Sequence, residues 1–426
     1  MSQKAVYKKS IKPLLLLRIS GFIWGFLVFF PEPAIPISNY FGLQFGQIAG
    51  IIILLLFGLS YLSQILTKAW FILIVPPVMA ILVAYIFRSD SYDLQIPFKG
   101  VIVFAIYLFP IVISGLFLKE CKYELLMGVI LAVIIHGFVG AIQLYAFPRA
   151  IFPFRWLYNN PHFALPENVI YRGEFYRVFG LFPEPSVLAA SMAHWVLLFI
   201  AIHLNIGNIR VGLTNNQIRL IISGMYSGLF LMIFTGSGHL VFFVIGLLSL
   251  LYISSRTSKK LFKLSVFINT KLFQILLVLV ILASFLLITE RGGRQYSGSW
   301  SSRMGSIIIG LNNWINSDLI HVIFGQLDEG IKNVYIPGSF HQGIVWSVMA
   351  QSIISYGVIM VLSWLYIIRK CYCSIKRSSL SGVGLVFGGV YFLGLMFTSS
   401  YAAEMSQWLT LSWLLYWDRI FKQNKY

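Results

Sequence analysis

Of the ten basic residues in the outer polar stretches of an otherwise apolar chain, six arginines are the most relevant: Arg149, Arg155, Arg172 and Arg177 in the first long stretch, Arg291 and Arg303 in the second. The planar guanidinium fork matches phosphate geometry better than any other side chain does. Arginines gathered beside lipid could therefore clamp a pyrophosphate. The same side chains could instead pair with Glu167, Glu174 and Glu290, or snorkel to headgroups.

Arg177 opens the decamer Arg177-Val-Phe-Gly-Leu-Phe-Pro-Glu-Pro-Ser186, nine residues before a helix entry. Gly180 permits a tight turn, Pro183 and Pro185 stiffen the approach, and Pro185 suits a first helical turn. Glu184 would sit at the positive end of the following helix dipole, as a charge-complemented helix start or as a base or arginine orienter. His341 follows Pro337-Gly-Ser-Phe340 and could transfer a proton near neutral pH or cap an interfacial helix. His136 and His194 fall inside apolar helices, where histidine usually satisfies a neighbour's hydrogen bond. His239 follows Gly236-Ser-Gly238 as a polar cap. No histidine, cysteine or acid spacing suggests a metal.

The elements that position these residues are membrane helices. With 426 residues, 58% hydrophobic and 11% charged at a mean hydropathy of +0.82, the chain lacks the charge a soluble surface of this size needs. Apolar runs near the length that crosses a bilayer recur about twelve times. They cover 14–30, 47–66, 69–87, 100–118, 125–147, 186–204, 219–235, 239–254, 272–288, 343–367, 383–399 and 405–418. The expected fold is an all-α polytopic membrane protein, one integral domain over 1–426. Lysines 4, 8, 9 and 12 precede the first run as in a signal peptide. Phe29-Phe-Pro-Glu-Pro33 offers no small-residue cleavage site, so a retained first helix is expected.

The +18 net charge tempts one towards nucleic acid. With a cytoplasmic N-terminus and twelve spans, 22 of the 32 Lys and Arg fall inside and 10 outside, against 3 and 11 acids. The inner face then carries +19 and the outer −1, so positive-inside bias accounts for the whole excess. Nucleic acid is not called for. Cys121, Cys371 and Cys373 are expected on cytoplasmic loops, where thiols stay reduced.

Two outer loops are long, 148–185 and 289–342. Both are rich in aromatics, Tyr176 and Trp300 among them, which argues against disorder. Within the second, apolar residues from Ile307 to Val322 recur at helical steps, predicting an amphipathic helix over 306–323. It would lie on the outer leaflet, cap the bundle, or form a short core for the loop.

Arg177-x-x-Gly180-x-x-x-Glu184-Pro-Ser186 resembles the R-x-x-G-x-x-x-E-P-S pattern of Wzy-type O-antigen polymerases. Thr235-Gly-Ser-Gly238 is similar to a T-x-S-x-S/G turn of the wider polymerase and ligase superfamily. Ser301-Ser-Arg303 with Phe324-Gly325 resembles its S-x-R … G-x-G stretch, and His341 with Ser355-Tyr-Gly357 its H … E-x-G entry. Departures are Gly238 and His239 where arginine and small residues are often seen, no second glycine after Gly325, and Ser355 for glutamate.

The resemblance implies a GT-C-like, metal-independent glycosyltransferase without cofactors, multi-pass in the bacterial inner membrane. Both termini would be cytoplasmic and the active site periplasmic. Donor and acceptor would be oligosaccharides on undecaprenyl pyrophosphate, with a chain-length regulator and membrane lipids as further partners. It implies that Arg177 and Arg303 bind the pyrophosphate, that His341 orients or deprotonates the acceptor hydroxyl or bonds the leaving phosphate, and that Glu184 assists. Arg172, Arg291, Tyr176 and Trp300 would contact substrate. The alternatives are an O-antigen ligase, with lipid A-core as acceptor, and a lipid-linked sugar flippase or other transporter. The latter would need ionisable groups along a mid-membrane path, where polar residues look sparse.

Overall fold

The structure is a computed structural model. It describes residues 3–38, 41–65, 68–87, 105, 108–160, 171–172, 175–206, 209–210, 213–257, 299–334, 345, 347–397 and 405–421. The predicted span over 272–288 lies outside the described residues.

The chain is a helical bundle. Helix α1 (Gln3–Leu27) is followed by a hairpin of β1 (Ala34–Ser38) and β2 (Phe41–Gln44), then α2 (Phe45–Ile65) and α3 (Lys68–Phe87). Next come α4 (Phe109–Glu120), α5 (Lys122–Ala146) and a small hairpin of β3 (Tyr171–Arg172) and β4 (Phe175–Tyr176). Helices α6 (Pro185–His203), α7 (Asn215–Phe234) and α8 (His239–Thr257) complete the first half. The second half holds α9 (Ser299–Ile315), α10 (Leu319–Phe324), α11 (Leu327–Lys332), α12 (Val348–Lys376), α13 (Ser381–Phe397), α14 (Met405–Leu415) and α15 (Trp417–Ile420).

Five helical stretches among the described residues are long and apolar enough to cross a membrane: Ala69–Phe87, Lys122–Arg149, Pro185–His203, Asn215–Phe234 and Val348–Lys376. Four shorter apolar helices accompany them. A central place falls to α6, whose residues from Pro185 to Ile202 are all buried. It packs against α7, α8 and α13, while α3 leaves Phe71, Leu82, Tyr85 and Phe87 exposed. In a bilayer those exposed side chains cost nothing, since lipid is as apolar as they are. Helices α1 and α5 cross with backbones touching. A methyl at Gly25 would lie 2.3 Å from the Leu125 carbonyl, and one at Gly128 2.1 Å from that of Phe22.

Polar residues in the interior are more numerous than apolar periodicity suggests, and they join helices. The Thr410 hydroxyl donates to the Ser406 carbonyl (3.0 Å) and accepts from Trp195 Nε1 (3.0 Å). Its remaining lone pair takes a hydrogen from His194 Nε2 (2.8 Å), stitching α6 to α14.

The amphipathic stripe predicted as one helix over 306–323 is two helices, α9 and α10. They break at Asn316-Ser-Asp318, where Asp318 accepts from the His321 backbone N–H and caps α10. Ile307 and Trp314 pack with Val334, Val345 and Ile354 in a second core against α12, so this segment carries a core of its own. Ile308, Ile315 and Leu319 remain exposed.

Helix α12 also differs from the single span expected over 343–367. It bends at Gly357 (φ 71°, ψ −161°) and runs on to Lys376. The Trp364 indole donates to Ser352 Oγ at 2.9 Å across the bend. A straight helix would hold residues that far apart in sequence about 18 Å apart. Cys371 and Cys373 therefore lie within a helix rather than on a loop, and Cys371 is buried. Cys121 is buried at the junction of α4 and α5.

Candidate functional site

Arg177 to Glu184 has no regular secondary structure, so its backbone groups need partners elsewhere. The side chain of Gln143, near the end of α5, supplies four bonds. Its Oε1 accepts from the N–H groups of Phe179 (3.1 Å) and Gly180 (3.0 Å). Its Nε2 donates to the Gly180 carbonyl (2.8 Å) and the Tyr158 hydroxyl (2.8 Å). Tyr158 in turn donates to the Gly180 carbonyl. Burial, then the charge of Glu32, holds the Tyr158 phenol well above the ordinary tyrosine range.

Two helical turns before Gln143 on α5, His136 Nδ1 accepts the Leu181 N–H at 3.1 Å. Its Nε2 must then carry the ring proton and donate to the Phe29 carbonyl at 2.8 Å. His136 thus satisfies two backbone groups, the role expected of a buried histidine. Gly180 sits at φ +57°, pressed on that imidazole, and a Cβ there would lie 2.6 Å from Nδ1. Gln143 was not legible as an anchor. Its only signal was an amide inside an apolar helix, where a buried polar group must find partners.

The turn at the end of α7 meets this segment. The Val178 N–H donates to the Phe234 carbonyl (3.1 Å), and Arg177 Nε donates to the Thr235 carbonyl (2.8 Å). Gly236, at φ +54°, lies alongside Arg177. The N-terminus of α8 follows at once with Ser237, Gly238 and His239, so Arg177 stands at the positive end of that helix. From the second half of the chain Arg303, in the first turns of α9, brings a positive charge that is felt at the His239 ring. The structure therefore holds Arg177 against the Thr235–His239 turn, with Arg303 within electrostatic reach of it.

Glu184 is the N-cap of α6, with Pro185 in the first turn, and accepts from Ser186 Oγ at 2.8 Å. That is the helix-start geometry expected of Glu-Pro-Ser. Tyr176, on β4, packs half-buried against the main core. Arg172 lies on β3 paired with Phe175, and Trp300 lies in the first turn of α9, one turn before Arg303. Arg291 and His341 lie outside the described residues. Arg149 is occupied locally, donating to the Tyr145 carbonyl (2.6 Å) with its guanidinium 3.8 Å from that ring's centre.

Beside the anchored segment lies a buried acid that sequence patterning did not single out. Glu32 is 2% exposed, just past the end of α1, and its Oε1 has no hydrogen-bond partner among the described residues. Burial raises its pKa to about 8, against a smaller opposing effect of the Asn160 N–H. The turn is laced to the first loop by Asn160 Nδ2 donating to the Pro31 carbonyl (2.8 Å) and Ala34 N–H donating to Asn159 Oδ1 (2.9 Å).

Among the described residues no group of three His, Cys, Asp or Glu is placed to hold a metal. A cavity of about 240 Å³ between α3 and α10 gathers none of the predicted site residues. No protein-family model, no curated protein and no solved structure matches the chain.

Proposed function

We propose that the chain is a membrane glycosyltransferase of GT-C-like, twelve-span architecture. It polymerises oligosaccharide repeat units carried on undecaprenyl pyrophosphate, at the outer face of the bacterial inner membrane. The observation that supports this reading is the hold of Arg177 on the turn opening α8, within electrostatic reach of Arg303. Two guanidinium groups and a helix N-terminus offer charge and donors where a diphosphate leaving group would develop negative charge. The fixed backbone of 177–181 keeps that charge in place before substrate arrives, which is what electrostatic catalysis requires.

Chemistry at such a site needs no redox step. An acceptor sugar hydroxyl displaces the lipid diphosphate from the anomeric carbon, and the hydroxyl's proton passes to a base. His341, from the sequence pattern, is the candidate for that base.

The test is to incubate purified protein with a lipid-linked repeat unit, with and without chelator. Oligomers of repeats in both arms support the reading. Transfer only to lipid A-core assigns a ligase, and substrate movement across vesicles without new glycosidic bonds assigns a transporter.

A further inference from the structure

His239 is buried, 2% exposed, at the start of α8, and its Nε2 has no hydrogen-bond partner among the described residues. The other ring nitrogen is occupied. Ser237 Oγ lies 2.9 Å from Nδ1 and also accepts the His239 backbone N–H at 3.4 Å. Among the described residues the Ser237 hydroxyl hydrogen meets no acceptor but Nδ1, so the serine donates there and the ring proton resides on Nε2. A buried N–H donor left without an acceptor is costly, and native structures rarely keep one unless a ligand or water completes it.

The surroundings indicate what would complete it. Helix side chains lean towards the helix N-terminus, so a first-turn histidine leans over the positive end of its own helix. Gly238, immediately before it, borders open space, since an added Cβ would meet no atom of the described residues within 4 Å. The Arg303 charge is felt at the ring. A buried donor, a guanidinium within electrostatic reach of it and a helix N-terminus together suit an anion with several oxygens.

We propose that His239 Nε2–H contacts a phosphate of the diphosphate, as a third binding group beside Arg177 and Arg303. This rests on the functional reading above. It assigns a ligand contact to a residue that sequence alone casts as a polar cap.

The test measures binding of farnesyl diphosphate to the purified full-length protein in neutral detergent, by tryptophan fluorescence. His239→Gln places an amide N–H near the Nε2 position, whereas His239→Asn keeps a polar group only near Nδ1. Binding should stay within about threefold of wild type in His239→Gln and weaken about tenfold or more in His239→Asn, the scale of one hydrogen bond to a charged group. Equal binding by the two variants, whether both retained or both lost, overturns the assignment. Dioleoylphosphatidylglycerol micelles run in parallel separate the two phosphate sources. Equal affinity for them, with the same Gln/Asn difference, would make the ligand a headgroup and overturn the diphosphate assignment. Arg177→Ala and Arg303→Ala test the underlying reading separately. If they weaken binding and His239→Asn does not, only the histidine contact fails; if they leave it unchanged, the diphosphate site itself fails.

Discussion

Gly325 and Gly357 press their backbones together where the end of α10 crosses the bend of α12. A Cβ at Gly325 would lie 2.2 Å from the Ser355 carbonyl oxygen, and one at Gly357 2.2 Å from that of Ile323. Both residues have positive φ, 85° and 71°. The Gln326 N–H donates to the Ile354 carbonyl at 3.0 Å, fastening the crossing. This contact anchors the second core, and with it the helix pair that carries Arg303, to the main bundle.

Alanine at Gly357 should therefore destabilise strongly. At φ 71° and ψ −161° the backbone is in a region essentially reserved for glycine, where strain costs about 1–3 kcal/mol; overpacking against backbone costs about 1–3 kcal/mol, and here both apply. Gly389, where an added Cβ would meet no atom of the described residues within 4 Å, is the control. Melting of the detergent-solubilised protein should fall clearly for Gly357→Ala and stay near wild type for Gly389→Ala. Similar melting of the two would show that the crossing is not close-packed.

The crossing also shows what the sequence could and could not convey. Apolar runs located the helices because lipid and core both demand length and hydrophobicity; α6 and α8 begin within a residue of the expected starts. Glu184-Pro185-Ser186 was readable as a helix start because capping is local chemistry. The bend at Gly357 and the break at Asn316-Ser-Asp318 were not, since hydropathy continues through both while tertiary contacts decide the turn. Arg177 and Arg303 could be suspected from residue type alone. Their joint reach to the α8 turn links residues far apart in sequence, and so does the hold of Gln143 on Gly180, for which no local pattern exists.

Gln143→Leu tests whether the Arg177 segment is preorganised. The substitution keeps an apolar helix but strips partners from the Phe179 and Gly180 N–H groups. Leaving buried donors unsatisfied costs about 1–3 kcal/mol each. Stability should drop by roughly 2–6 kcal/mol, and polymer formation should drop with it. Gln143→Glu accepts the same two N–H groups and cannot donate to Gly180, so its melting temperature should fall between the two. A Leu variant as stable as wild type would mean the segment is held elsewhere.

Glu32 gives the protein a pH dependence of definite sign. Its pKa is about 8 when folded against 4.5 for the ordinary group, so between those values the folded state holds a proton that the unfolded chain has lost. Stability should therefore fall as pH rises from about 5 to about 8, by at most about 1.4 kcal/mol per unit, and level off above. The acidic and phenolic groups that influence each other here are Glu32 and Tyr158. Glu32→Gln mimics the protonated acid and should flatten this part of the melting profile. A wild-type profile already flat between pH 5 and 8, or one unchanged by the substitution, would place the carboxylate in water.

Arg177 and Glu184 occupy one short segment and should respond oppositely. Glu184 accepts from Ser186 and stands at the N-terminus of α6, an arrangement in which a charge contributes about 0.3–1 kcal/mol of stability. Glu184→Gln keeps an acceptor for that hydroxyl and should leave the polysaccharide ladder intact with a slightly lower melting temperature. Arg177→Ala removes a guanidinium whose Nε is tied to the Thr235 carbonyl and whose charge stands at the α8 turn. If that charge stabilises the departing diphosphate, the loss should be about 2–4 kcal/mol of transition-state stabilisation, or roughly 30- to 1000-fold in rate. Cells carrying Arg177→Ala at normal protein level should make single repeats instead of a ladder. A ladder that survives Arg177→Ala and vanishes in Glu184→Gln would exchange the two roles, making the carboxylate the chemical group and the arginine its support.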